Sequence, residues 1–308
     1  MLAGEVWKAP GAGSRHWPAG EAAIIYPPMT AFLKMHGLGN DFAVFDARKQ
    51  ALALNAGAAR AITDRHFGIG CDQVIVIEPA QNGADAFMRV YNPDGSEAEG
   101  CGNATRCVGY LLIRETGKSD IALETAGGLL HCSAMGDHVR VDMGVPKFGW
   151  RDIPMARETD TLSFPIDVAG SNLYALTIAS AVNVGNPHVV LFVDNAEKAP
   201  VAELGPKIEN HPLFPQRTNV EFISLTALNK LRLRVWERGA GITLACGTGT
   251  CAAFVAAVRR GLVGHKAEVV LDGGSLFMEW EGEGKPIYMT GPWSLSYKGE
   301  IDIEALAR

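Results

Sequence analysis

Residues 91–107 read YNPDGSEAEGCGNATRC, and residues 237–251 read ERGAGITLACGTGTC. Each is a turn-rich stretch that ends in a Cys-Gly pair and passes into a helix-like pattern. The fold depends on whether these are one motif written twice. Laying MRVYN (88–92) on LRVWE (233–237) carries Cys101-Gly102 onto Cys246-Gly247 and Thr105 onto Thr250 without a gap. Upstream, Gly39-Asn40 falls opposite Gly185-Asn186, and Gln73 opposite Asn219, close to the same register. Chance covers any one of these matches. The shared order of Gly-Asn, a side-chain amide, a strand and Cys-Gly reads as an internal repeat. The chain is therefore expected to hold two pseudo-equivalent α+β halves that meet near residues 146–150.

The pattern around the repeat supports that reading. DFAVFDA (41–47), QVIVIEP (73–79), AFMRVYN (86–92) and HVRVDMG (138–144) are rich in β-branched and aromatic residues and predict strands. HVVLFVD (188–194), NVEFISL (219–225), LRLRVWE (231–237) and AEVVLD (267–272) do the same in the second half. Helices are predicted over 56–68, over 103–117 with Gly117 as its stop, and over 248–261. The last is apolar on nearly every side between Cys251 and Val258. A helix with no wet face suggests one wrapped by a curled sheet.

The 308 residues carry a net charge of −6, with 47% hydrophobic and 20% charged residues, enough for a packed core. No basic stripe argues for nucleic acid or an anionic membrane, and no apolar run has the length of a spanning helix. Residues 1–28 differ from the rest, with Pro10, Pro18, Pro27 and Pro28 and no periodicity. They read as a tail or as sequence upstream of a start at Met29. The six cysteines lack zinc-knuckle spacing, and reduced thiols in a cytoplasmic protein are expected. No metal site, pyridoxal phosphate site, dinucleotide fingerprint or phosphate loop is found in the sequence.

A cysteine at a helix N-terminus has its thiolate stabilised by the partial positive charge there, and the free N–H groups can hold a carboxylate. A lone thiol of this kind is more often buried and inert. Two related by a pseudo-two-fold axis can flank one cleft. That suits inversion at a carbon stereocentre: a thiolate removes the Cα proton from one face and a thiol delivers one to the other. The acidity of such a proton would depend on water exclusion and fixed N–H donors around the carboxylate.

Together with HGLGNDF (36–42) and VGNPH (184–188), the two Cys-Gly stretches closely resemble the diaminopimelate epimerases, over nearly all of 30–308. The resemblance implies an α+β fold of two pseudo-symmetric domains, each a curled, mostly antiparallel sheet around a central helix. Their spans would be 29–146 plus 292–308, and 147–291. It implies cofactor-independent interconversion of LL- and meso-2,6-diaminopimelate in lysine and peptidoglycan precursor synthesis, with a homodimer as a compatible assembly. It gives Cys101 and Cys246 as the catalytic pair. Gly102, Asn103, Gly247 and Thr248 match the carboxylate cradle. Asn40, Gln73, Asn92, Asn186, Asn219, Glu237 and Arg238 match the other substrate contacts, and His188 and Glu237 match groups that tune the thiols. The set suits a substrate with a distant second amino acid. Plainer readings stand beside it: Asn in a Gly-Asn turn serves left-handed backbone, Glu237-Arg238 reads as an exposed charge pair, and His188 as a core histidine. Cys71, Cys107, Cys132 and Cys251 read as packing residues; Cys71, in GIGCDQ, departs from the family's apolar or aromatic habit.

Two rivals remain at this level. Proline and hydroxyproline epimerases share the paired thiols but tend to carry His where this chain has Asn103. The other is a non-catalytic relative: retention of both Cys101 and Cys246 argues against a ligand-binding protein, while a redox switch that pairs the two thiols is compatible with the epimerase reading.

Overall fold

The computed structural model describes residues 29–167 and 177–306; the stretch 1–28, read above as a tail or upstream sequence, lies outside the described residues. The first half holds β1 (Thr30–Gly37), β2 (Asn40–Asp46), α1 (Ala56–Thr63), β3 (Gln73–Glu78), β4 (Ala86–Tyr91), β5 (Glu97–Ala98), α2 (Gly102–Thr116), β6 (Asp120–Thr125), β7 (Gly128–Met135) and β8 (His138–Asp142). Then follow β9 (Phe164–Ile166), β10 (Thr177–Asn183), β11 (Pro187–Phe192), α3 (Val201–Glu209), β12 (Asn219–Ala227), β13 (Lys230–Glu237), β14 (Gly241–Ile242), α4 (Gly247–Arg259), β15 (Lys266–Leu271), β16 (Gly274–Trp280), β17 (Ile287–Gly291), β18 (Ser294–Ile301) and α5 (Ile303–Leu306).

The pairing repeats itself. In the first half β1, β2, β3, β4, β6, β7 and β8 follow one another, with β2·β3 and β4·β6 parallel and the rest antiparallel. In the second half β10, β11, β12, β13, β15, β16 and β17 do the same, with β11·β12 and β13·β15 parallel. The halves join where β8 and β17 pair antiparallel, Met289 opposite Val141. At the outer edges β18 pairs with β1, and β9 with β10. The fold is α+β, two pseudo-symmetric curled sheets built around one helix each.

The helices sit where the apolar pattern sends them. α2 touches β1, β6, β7 and β8, so its sheet curls round it, and Ala104, Cys107, Val108 and Leu112 join Phe42, Ile75 and Leu123 in one core. α4 is buried on all sides from Gly249 to Ala257 and touches strands β10–β13 and β15–β17, with Phe254 and Val255 in the core they enclose. Removing an apolar side chain of that size from water contributes about 1.5–3 kcal/mol. A second core covers the outer face of each sheet, under α1 and α5 in one half and under α3 in the other.

α1 ends at Thr63, short of the predicted 68, because Asp64 leaves helical geometry and its carboxylate takes the His66 and Phe67 N–H groups. α3 was not apparent in the sequence because it contains Gly205-Pro206, which reads as a turn. Gly205 is there for contact: a Cβ would lie 2.5 Å from Cγ of Trp236. The strands β1, β6, β7, β9, β10, β16 and β17 and the two-residue β5 and β14 were also not read from the sequence; β7 buries only Cys132 fully, which leaves too weak an alternation to read.

Candidate active site

Cys101 and Cys246 are the residues at which an extended chain turns into α2 and α4, with φ/ψ of −147/110° and −119/112°. The first turns are closed alike: Thr105 Oγ1 donates to the Cys101 carbonyl at 2.8 Å, and Thr250 Oγ1 to that of Cys246 at 2.7 Å. The Gly249 N–H points at Cys246 Sγ at 3.3 Å, with Thr248 Oγ1 at 3.5 Å. Each thiol thus stands at the positive end of its helix.

The two helix ends meet. Asn103 Nδ2 donates to the carbonyl of Ala245 at 3.2 Å and to Asn40 Oδ1 at 3.1 Å, tying α2 to the residue just before Cys246. Met289, on the joint between the sheets, underlies both: a Cβ on Gly102 would lie 3.0 Å from its Cε, and one on Gly247 3.5 Å. Met143 closes on Gly102 from beside it, at 3.1 Å from the same imagined Cβ. Any side chain at Gly102 would crowd this floor.

Around Cys101, Asn40 Oδ1 accepts from the thiol at 3.7 Å while its Nδ2 donates to Asp72 at 2.9 Å. Asp72 and Asp41 share Arg65, and Lys34 pairs with Asp41. Burial opposes ionisation of Asp41, but the hydrogen bonds from Arg65 and Lys34 prevail and hold it at about 2. Gln73 donates to Asn92 at 3.0 Å, and Asn92 to Ser96 at 3.1 Å within the NPDGS turn.

Around Cys246, His188 Nδ1 meets Glu221 Oε1 and Nε2 meets Asn186 Oδ1, both at 2.7 Å, with His188 and Glu221 wholly buried. Glu237 accepts from Thr243, and its carboxylate adds to burial in raising the Cys246 thiol. Asn219 donates to the Pro187 carbonyl at 2.9 Å and accepts from the Arg238 N–H at 2.9 Å. The Arg238 side chain is exposed, its Nη1 donating to the Gln216 carbonyl at 3.2 Å. So Cys101, Cys246, Gly102, Gly247, Asn103, Asn40, Glu237 and Thr248 come together directly. Gln73, Asn92, Asn186, Asn219 and Arg238 stand in the loops and strand ends of their own halves.

Burial dominates the electrostatics. It pushes the Cys101 thiol up to about 11, against the Ala104 and Asn103 N–H groups. Cys246 is raised well above its ordinary value by burial and then by the Glu237 and Glu221 carboxylates. Burial also raises Glu237 and Glu221 themselves. Cys107, Cys132 and Cys251 are buried and pushed up to about 12, and Cys71 to about 11.

Sequence reasoning missed Glu221, Arg106 and the two methionines. The repeat held a signal for the first. Superposing the halves sets His188 on Phe42 and Glu221 on Ile75, in matching places of the β2·β3 and β11·β12 pairs. A carboxylate inside the apolar strand NVEFISL was the anomaly.

The diaminopimelate epimerase family model matches residues 32–149 and again 180–296. The chain is 53% identical over 272 residues to the diaminopimelate epimerase of Rhodospirillum centenum, covering 88% of this chain and 91% of that one. It is 51% identical to that of Phenylobacterium zucineum, covering 88% and 97%. The chain belongs to the diaminopimelate epimerase family. The two stretches that the diaminopimelate epimerase model matches are the two halves joined by β8 and β17. Solved structures of lower identity share the fold. A hydroxyproline epimerase from Agrobacterium vitis superposes with a TM-score of 0.66 at 17% identity, covering 89% of this chain and 92% of that one. A PhzF-family phenazine biosynthesis protein from Enterococcus faecalis gives 0.65 at 13%, covering 89% and 100%.

Proposed function

We propose that this chain is a diaminopimelate epimerase that inverts one Cα of 2,6-diaminopimelate between Cys101 and Cys246. The observation that carries this reading is the meeting of two cysteine-capped helix N-termini on one methionine floor. The substrate carboxylate at the reacting centre takes the backbone N–H groups of Gly102-Asn103 and Gly247-Thr248, where two helix dipoles favour negative charge. The side chain of Asn103 is already engaged, so its contribution is the main-chain N–H. One sulfur takes the Cα proton as a thiolate, and the other gives its proton to the opposite face. Their roles exchange with the direction of reaction.

Burial makes an isolated thiolate costly at either position. Glu237 acts on Cys246 electrostatically, and a proton passed from the thiol to that carboxylate gives a thiolate and a neutral acid with no change in the charge of the buried site. His188 holds the side of Cys246 through Asn186 and Glu221. Asn40, Gln73, Asn92, Asn186, Asn219, Glu237 and Arg238 are proposed to take the remaining substrate groups; the exposed guanidinium of Arg238 suits the distal carboxylate.

The halves are assigned as 29–146 with 292–308, and 147–291. A homodimer is proposed at the edge strand β18, which leaves Leu295 and Tyr297 exposed. Among the described residues no helix is long and apolar enough to cross a membrane; a cytoplasmic site of action is part of the proposal.

The test is incubation of LL-diaminopimelate in heavy water under reducing conditions. Meso product with deuterium at Cα is expected; neither product nor label would sink the reading. Cys101→Ala and Cys246→Ala each abolish inversion, and full activity in either removes the two-thiol scheme. Inversion of proline or hydroxyproline in its place would favour the rival.

A further inference from the structure

Among the described residues Arg106 is the largest side chain that is fully buried. It lies one turn into α2, beneath Gly102 and Asn103. Its Nη2 donates to Asn103 Oδ1 at 2.9 Å and its Nε to the Pro292 carbonyl at 3.1 Å; Nη1 rests on Met289 Sδ at 3.7 Å. All three partners are neutral. The slot exists because two glycines lack side chains: a Cβ on Gly37 would lie 2.8 Å from Nη2, and one on Gly291 3.2 Å from Nε.

A guanidinium stays charged, and burying it without a counter-ion is expensive. What it does there follows from its having donors and no acceptors. Held by a donor, Asn103 Oδ1 cannot exchange places with Nδ2. The Nδ2 group is thereby aimed at the Ala245 carbonyl and at Asn40 Oδ1. That in turn keeps Asn40 Oδ1 as the acceptor beside the Cys101 thiol, with its Nδ2 on Asp72. One buried cation therefore orients a chain of amides that reaches Cys101 on one side and the main chain at Cys246 on the other.

We propose that Arg106 is a positioning residue of this site: it fixes the amide chain Asn103–Asn40 beside Cys101 and is the buried counter-charge for the substrate carboxylate at the two helix N-termini. The substrate-directed part rests on the epimerase reading above. Substrate binding supplies the negative partner that the fold withholds, so the desolvation cost of the guanidinium is offset only in the complex.

The experiment compares Arg106→Lys and Arg106→Met with the wild-type chain. Lys keeps the charge and loses the fork, so KM stays within about threefold while kcat falls by about 10-fold or more. Met removes both, and kcat/KM falls by about 10²-fold or more, with KM rising. Iodoacetamide alkylation of Cys101 against pH is read in parallel. Its midpoint moves up in Arg106→Met and stays near wild type in Arg106→Lys. Folded Arg106→Met with wild-type kinetics and an unmoved alkylation midpoint overturns the proposal. Should Arg106→Met not fold, wild-type kcat in Arg106→Lys does the same. The alkylation readout needs no turnover. A wild-type chain that alkylates normally yet leaves diaminopimelate unchanged defeats the function, and the alkylation midpoints then decide the role of Arg106.

Discussion

At the scale of single residues the two halves are unequal. Phe42 and Ile75 back the Cys101 side with apolar surface, where His188 and Glu221 back the Cys246 side with a hydrogen-bonded couple. His188 bridges Asn186 and Glu221, its Nε2 meeting Asn186 Oδ1 and its Nδ1 meeting Glu221 Oε1. Among the described residues Glu221 Oε2 has no hydrogen-bond partner. Glu221→Gln removes a carboxylate that opposes the Cys246 thiolate, so the acid limb of the pH–kcat profile moves to lower pH. The maximum falls by about 10-fold, as losing an outer-shell orienter does. An unmoved limb would remove Glu221 from the tuning of Cys246. The thiols also set an alkaline limit on folding. Cys101 is raised from 9.0 to about 11. The folded state holds that proton more tightly than the unfolded chain does. The stability it contributes is complete below pH 9.0 and lost as pH rises through about 11. The urea midpoint should drop across that window, and less steeply in Cys101→Ala.

At the scale of elements, α4 is the clearest case of pattern becoming structure. Its apolar run from Cys251 announced a helix without a wet face, and the second-half sheet encloses it. Phe254→Ala leaves a cavity there and costs about 3–5 kcal/mol, read as a lowered urea midpoint with unchanged m-value. The start of α4 is as tight: a Cβ on Gly249 would lie 2.9 Å from Glu221 Oε1 and 3.2 Å from Cys246 Sγ. Gly249→Ala should therefore lower kcat well before it lowers stability; equal kcat would show that Glu221 moves freely. α3 marks the limit of such reading. Its Gly205-Pro206 looks like a turn until the Trp236 ring against Gly205 is known.

At the scale of the whole molecule, the repeat becomes a pseudo-two-fold sheet whose centre is the pairing of β8 with β17. That joint carries Met289, and Met289 underlies both helix ends. All six cysteines are free, and four lie in the cores, away from the cleft lining. Mild oxidation should yield one disulfide, Cys101 to Cys246, with loss of activity that a reductant restores. Peptide mapping that finds another pair first would contradict the shared cleft.

The sequence by itself determined the two thiols, their glycines, the helices they open and the doubling of the fold. These are local properties: helix-start chemistry, apolar periodicity and a repeat visible in register. Only the tertiary structure decided what lies behind the thiols. Arg106 is five residues from Cys101 in a plain helical stretch, and nothing in its neighbours says that Gly37 and Gly291, from distant strands, leave it a slot. Glu221 becomes a partner of His188 only because β11 and β12 run parallel and in register. Burial and long-range pairing set those charges, and neither is written in the order of adjacent residues.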